Sequence, residues 1–293
     1  MEILFLQQIL NGLIIGSVYC LIAIGLTMIF GVMNISNFSH GDLAMIGGYL
    51  AIYIVSMSSG VFGWIGSLVF AAVGVGLLGY LLERFLFRPL VTRWTDLDAI
   101  MLSVGLVILL QNGAQLLFGA TPKMIVDPFH SQNVSLFFAS TSVIRLVCFC
   151  LACATIALLQ LFLTKTKVGV AVRATSQNRN AALYMGININ MIYSLTFILG
   201  GALAGVGGTL YGTLFAIFPT MGGVPTLKAF TIVILGGMGS IRGAIFGGLI
   251  LGVAETLGGN YISMEYKNSI GFIIIILVLL IIPSGLFGRR KET

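Results

Sequence analysis

Formal charges are so sparse and so unevenly spaced in this chain that its apolar runs cannot all be hidden in a water-soluble core. After Glu2 the next charge is Asp42, and none follows until Glu83. Further uncharged runs cover residues 99–122, 146–164, 180–227 and 268–288. A helix needs about 20 apolar residues to cross roughly 30 Å of hydrocarbon, so the longest runs hold two passes and the others one. Only 8% of residues are charged, 58% are hydrophobic and the mean hydropathy is +1.08, whereas soluble domains carry about 25% charged residues. A soluble fold of this composition would have an apolar exterior. The expected fold is all-α: a polytopic transmembrane helical bundle of about 8–10 spans, some of them short or glycine-broken, in one domain over residues 1–293.

Sidedness follows from the basic residues, because short positively charged loops stay on the cytoplasmic side. Arg84, Arg88 and Arg93 mark one inner loop, Lys165, Lys167, Arg173 and Arg179 a second, and the tail Arg289-Arg290-Lys291 a third. The loop near residues 119–141, with Lys123, Asp127 and His130, then faces outward, as does the N-terminus. The net charge of +6 reflects this asymmetry and not a nucleic-acid footprint. Between the second and third inner markers the number of crossings must be even, yet only three apolar blocks are visible. The sequence Gly236-Gly237-Met238-Gly239-Ser240-Ile241-Arg242-Gly243 resolves this if it breaks a span near the inner face. Residues 226–235 then form a short descending helix and residues 244–257 climb back. Nine crossings result, and such broken helices point to a transport pathway.

Several chemistries drop out. No G-x-x-x-x-G-K-[ST] sequence is present, so the chain has no P-loop and is not expected to be an enzyme. Cys20, Cys148, Cys150 and Cys153 fall in apolar spans and His40 and His130 lie far apart, so neither a metal site nor a cofactor is expected. Most of the 38 glycines read as close helix–helix contacts in lipid, in runs such as residues 200–208 and 243–252. Mid-span formal charge is nearly absent, with Glu83, Arg145 and Glu255 at span ends, which argues against a secondary transporter or channel working alone.

Two polar constellations remain. Asn34-Ile35-Ser36-Asn37-Phe38-Ser39-His40-Gly41-Asp42 interrupts the apolar opening, where polar groups need partners or water. It is either an interhelical turn with Asp42 at a helix N-terminus or part of a pathway. The second is the cytoplasmic stretch 165–186, longer than a connector needs. Val170, Ala174, Asn178, Ala181 and Met185 fall on one helical stripe with Gly186 as C-cap, a surface helix suited to docking a partner or a solvated amphipathic loop.

These residues also carry a resemblance. Asn37-Phe38-Ser39-His40-Gly41-Asp42 is similar to the N-F-[AS]-H-G-[DE] motif of the branched-chain amino acid ABC transporter permeases, with Ser39 and Asp42 as conservative variants. The segment from Gly169 through Arg173, Ala174, Asn178, Ala181 and Gly186 resembles that family's ATPase-coupling region. Leu235-Gly236-Gly237-Met238-Gly239-Ser240 with Gly243, Gly247 and Gly248 resembles its second glycine motif, and Glu265-Tyr266-Lys267 and Pro283-Ser284-Gly285-Leu286-Phe287-Gly288 its C-terminal pattern. The likeness covers nearly the whole chain, and its length suits the smaller of the family's two permeases.

The resemblance implies an importer subunit of the bacterial inner membrane. Its partners would be a sister permease or second copy, two cytoplasmic ATP-binding subunits and a periplasmic binding protein delivering leucine, isoleucine or valine. Related permeases move urea, short amides or other amino acids, so the cargo class stays open on sequence alone. ATPase coupling is expected at Gly169, Arg173, Ala174, Asn178, Ala181 and Gly186. Asn34, Asn37, His40, Gly41, Asp42, Gly236, Gly239 and Ser240 are the candidate pathway residues.

Overall fold

The computed structural model describes residues 2–287 except 59, 92–95, 127, 130–131, 137–138 and 283–284, so Arg93, Asp127, His130 and the basic tail lie outside the described set. The chain is a helical bundle. It runs α1 (Glu2–Met33), α2 (His40–Met57), α3 (Gly60–Leu82), a π-helical segment (Glu83–Phe87), α4 (Arg88–Val91), α5 (Asp96–Phe118) and α6 (Val143–Lys165). The short helices α7 (Lys167–Gln177) and α8 (Arg179–Tyr184) follow, then α9 (Ile189–Leu214), α10 (Gly223–Gly236), α11 (Ile241–Tyr261) and α12 (Lys267–Ile281). Among the described residues six helices are long and apolar enough to cross a membrane: those at Leu4–Met33, Gly60–Phe87, Leu97–Phe118, Val143–Lys165, Ile189–Leu214 and Ile241–Tyr261. With the shorter α2, α10 and α12, the order of crossings follows the sequence expectation. One addition is a small antiparallel hairpin, β1 (Asn133–Leu136) with β2 (Ala139–Ser142), inside the loop after α5.

Sidedness can be read from which ends meet. Gln7 at the start of α1 reaches the Ser140 carbonyl, Arg145 reaches Asn11, and Asn260 at the end of α11 reaches Gln8. The N-terminus, the hairpin and the end of α11 therefore share one face. At the other, Arg88 after α3 bonds to the first turn of α9, directly beyond the basic segment α7–α8. The two described basic clusters thus lie together, as the charge rule requires.

A helix that is apolar all round is either surrounded by lipid or surrounded by protein. For α1 it is protein: 83% of its apolar window is buried, against 17% for α5 and 22% for α6. It packs most extensively on α11 and α9, with α10 and α6 completing its surroundings. Glycine makes this possible, because backbones must nearly touch. A Cβ at Gly252 of α11 would stand 2.4 Å from the Gly12 carbonyl oxygen, and one at Gly16 of α1 would stand 2.7 Å from that of Gly248. The same holds where α9 meets its neighbours: Gly208 against Ala44 of α2, Gly201 against Val75 of α3, and Gly205 against Ala71. Gly252→Val should therefore lower the thermal midpoint of the detergent-extracted protein, overpacking costing about 1–3 kcal/mol or more. Gly66→Val, with open space around it, should leave the midpoint unchanged.

Candidate functional site

The chain from α1 into α2 does not turn at the membrane surface. After Met33 it reverses at Asn34, which adopts φ +55, and runs back along α1 as irregular chain and a turn. His40, the first residue of α2, meets the Ile22 carbonyl through Nε2 at 3.0 Å. That contact lies roughly 16 Å back from the inner end of α1, at about 1.5 Å per residue. Helix α2 therefore begins at mid-depth. Binding a carbonyl requires the proton on Nε2.

A second helix starts at the same depth. α10 is 14 residues long, about 21 Å at that rise, and covers only part of the bilayer. Its N-terminus packs on the start of α2. The Gly41 N–H donates to Thr226 Oγ1 at 3.0 Å, and that hydroxyl donates to the Gly222 carbonyl at 2.8 Å. A Cβ at Gly41 would stand 2.2 Å from the Gly222 oxygen, and one at Gly222 would stand 2.1 Å from Asp42 Oδ1. The Asp42 carboxylate thus lies against the amino end of α10, where a negative charge offsets the helix dipole, and accepts from Gln111 Nε2 of α5 at 3.0 Å. Phe38 stacks on Phe230 at 4.6 Å between centroids. Two helix N-termini, from separate halves of the chain, converge inside the bundle.

Inside the motif, Asn37 Oδ1 accepts from the Ser39 N–H at 3.1 Å and from its hydroxyl at 2.7 Å, an Asx turn that leads into α2. Asn37, Ser39, His40 and Asp42 are all buried. Asn37 Nδ2 and His40 Nδ1 have no partner among the described residues, which is costly away from water and marks polar capacity beyond what the fold uses. Asn34 stays exposed at the reversal.

The other end of α10 is an elbow at the inner face. Gly237 takes φ +96, Gly239 takes φ +80 beside Gly31 near the end of α1, and Ser240 Oγ caps α11 by accepting from the Gly243 N–H at 3.1 Å. Gly236 and Gly243 approach so closely that a Cβ on the first would stand 2.2 Å from the carbonyl carbon of the second. The last carbonyls of α10 are satisfied from far along the chain: the Leu286 N–H donates to Leu235 and the Phe287 N–H to Gly236, at 2.9 and 3.0 Å. The C-terminal motif is in this way the cap of α10. Gly236, Gly239 and Ser240 thus shape the elbow, while Asn37, His40, Gly41 and Asp42 stand at the opposite end of the same helix.

One pair corrects the sequence reading of a bundle nearly free of mid-span charge. Glu255 does not lie at a span end, because α11 runs on to Tyr261. It is buried and bonded to Lys228 of α10. Gly271 of α12 closes over the pair, 3.1 Å separating an added Cβ from Glu255 Oε1. Lys228, the first charge after a long uncharged run, was the available signal; Gln111 and Thr226, ordinary residues for a membrane helix, offered none.

The segment 165–186 is two helices and not one stripe. Asn178 leaves the helical conformation (φ −154) and caps α8, its Oδ1 accepting from the Ala181 N–H at 3.0 Å. The competing side-chain hydrogen bond ends α7 there. Gly186 closes α8 at φ +79. Arg173, Asn178, Ala181 and Gly186 are exposed and Ala174 half-buried, whereas Gly169 is buried against the end of α6. Leu183, Tyr184 and Met185 add an exposed apolar patch, uncommon on a water-facing surface without a partner.

Removing one member of a buried ion pair strands the other charge, whereas removing both can be neutral. Glu255→Leu should destabilise the protein by about 3–5 kcal/mol, and Lys228→Met combined with Glu255→Leu should recover most of it, measured as thermal midpoints in one detergent.

Comparison with known proteins agrees with this architecture. Residues 8–279 match the family model described as branched-chain amino acid transport system / permease component. The chain is 38% identical to the high-affinity branched-chain amino acid transport system permease protein LivH of Escherichia coli (strain K12), over 98% of this chain and 96% of that one. It is 36% identical to the corresponding BraD protein of Pseudomonas aeruginosa, over 98% and 97%. Among solved structures, PsaBC from Streptococcus pneumoniae in complex with Fab shares the fold at a TM-score of 0.52 and 18% identity, covering 96% of this chain and 92% of that one. The chain belongs to the branched-chain amino acid transport system permease family.

Proposed function

We propose that this protein is the multi-pass inner-membrane permease of an ATP-driven importer that moves leucine, isoleucine and valine. The observation that carries the reading is likeness to branched-chain permeases along almost the entire chain. The geometry supports transport independently: α2 and α10 both begin within the bundle, an arrangement tolerated where a pathway or protein covers the freed backbone. On this reading residues 1–293 are a single permease domain. It works with a sister permease or second copy, two cytoplasmic ATP-binding subunits and a periplasmic binding protein, and ATP hydrolysis belongs to the separate subunits.

The ATP-binding subunits dock on residues 165–186, through Arg173, Ala174, Asn178, Ala181 and Gly186 with the apolar patch at Leu183–Met185 beside them; Gly169 supports the docking helix from behind. Closing of the ATPase dimer drags α7 and α8, and the bundle passes between two arrangements that nucleotide biases. The pathway runs beside α10. Asn37, His40, Gly41 and Asp42 lie at its mid-depth end, with Asn34 at the inner reversal, and Gly236, Gly239 and Ser240 form the hinge at its inner end.

Arg173→Glu should abolish copurification of the ATP-binding subunit and ATP-driven uptake while leaving the permease folded; intact copurification would sink the docking assignment. In proteoliposomes holding the complete complex, ATP and the binding protein should drive uptake of labelled leucine and not labelled urea. Urea uptake would instead place the chain with the same fold serving another cargo.

A further inference from the structure

At the inner end of α3 the helix widens for one turn. Glu83–Phe87 is π-helical, and the Arg88 N–H donates to the Glu83 carbonyl. Pro89 supplies a cause: it has no N–H for the carbonyl four residues back and its ring crowds that carbonyl, so the regular ladder cannot continue. The widening changes which side chains meet. In an α-helix residues five apart point about 140° away from each other, at roughly 100° per residue. A π turn closes i to i+5 and brings them to the same side. Glu83 and Arg88 are five apart, and they meet.

They meet as a bidentate pair. Arg88 Nε donates to Glu83 Oε1 and Arg88 Nη2 to Oε2, both at 2.8 Å. Glu83 is completely buried, and the bond to its carboxylate raises the Arg88 pKa above its usual value. The pair does not stop at α3. The Ser194 hydroxyl donates to Glu83 Oε2 at 2.9 Å, and Arg88 Nη2, which lies against that hydroxyl, also donates to the Asn190 carbonyl at 3.1 Å. Asn190 and Ser194 lie in the first turns of α9. A carboxylate and a guanidinium with this many charge-assisted bonds hold orientation as well as position.

Helix α9 starts where the cytoplasmic segment ends. Only the turn at Gly186–Asn188 separates it from α8, and the turn is stiff: the Ile187 N–H donates to the Ala182 carbonyl at 3.1 Å, and Asn188 Oδ1 caps α9 by accepting from the Met191 N–H at 3.2 Å. Arg179 of α8 lies over the Tyr193 ring of α9, 5.4 Å from its centroid. A cleft of about 430 Å³, lined by Arg179, Leu183 and Asn190 among others, opens in the angle between the two helices, so α8 has room to tilt. Any displacement of α8 reaches the first turn of α9, and Arg88 ties that turn to α3.

We propose that Glu83, Arg88 and Ser194 form the joint through which movement of α8 is transmitted to α3 and α9 together, with Arg88 as a positioning residue for coupled uptake; this rests on the reading of α7–α8 as the ATPase-docking segment. Without the joint, α9 yields locally and hydrolysis continues without transport.

The test uses the complete complex in proteoliposomes and measures uptake and ATP hydrolysis in the same sample. Arg88→Lys keeps the charge and loses the fork, and Glu83→Gln weakens both bonds. Each should keep wild-type ATPase copurification and hydrolysis while uptake per ATP falls by roughly tenfold, within the usual range of coupling energies. Ser194→Ala should lower the ratio and Ser194→Thr, which keeps the hydroxyl, should restore it. An unchanged ratio in Arg88→Lys and Glu83→Gln overturns the proposal, as does a parallel fall of uptake, hydrolysis and folded yield, the signature of a purely structural pair. Arg173→Glu separates the two layers. If the ATPase still docks on it, the docking reading fails and the joint falls with it; if docking is lost but the Arg88 and Glu83 variants keep the wild-type ratio, the joint alone is wrong.

Discussion

A helix that ends inside a bilayer must hand its unpaired backbone groups to something other than water. α10 meets that demand at both ends, and much of the surrounding structure is arranged to do so. At the amino end the carboxylate of Asp42 and the Gly41–Thr226–Gly222 hydrogen bonds draw in the start of α2. At the carboxyl end the Leu286 and Phe287 N–H groups take up the last carbonyls. Between them Lys228 is bonded to Glu255 on α11. Three sequence motifs far apart in the chain thereby converge on one short helix.

Holding so many helix ends inside protein requires a scaffold in which backbones nearly touch. α1 supplies its axis, and small residues on α9 and α11 let neighbours approach to distances that a single methyl group would forbid. Packing of this kind leaves little slack within each seam, and the chain changes direction at elbows such as Asn34–Ser39 and Gly237–Ser240. Positive φ marks both of them, at Asn34 and at Gly237 and Gly239, as it does Gly186 after α8.

Much of this was legible in the residues. Charge spacing marked out the apolar runs, parity called for one more crossing, and the glycine-rich run at residues 236–243 showed where a span could break. What stayed hidden has a common physical cause: it depends on which helices become neighbours. The sequence marks Asn37–Asp42 as an interruption but cannot say that the chain doubles back to mid-depth, because that rests on His40 reaching Ile22. Helical spacing over residues 170–185 suggests one continuous stripe, yet the Asn178 side chain competes for the backbone and divides it. Glu255 reads as a terminal charge until its partner Lys228 is seen across a helix interface. The Glu83–Arg88 pair is invisible to α-helical counting because it needs a π turn.

The capping of α10 by Leu286 and Phe287 also bears on how the protein is made. α10 leaves the ribosome well before the residues that close its carboxyl end, with α11 and α12 synthesised in between. During that interval its last carbonyls have no native partner, so α10 must wait near the polar edge of the membrane or borrow temporary partners. Insertion of the second half is then completed backwards, the last residues described securing a helix threaded long before. A nascent chain stalled short of Gly285 would hold all the helices from α1 to α12 and still lack the two N–H groups that cap α10.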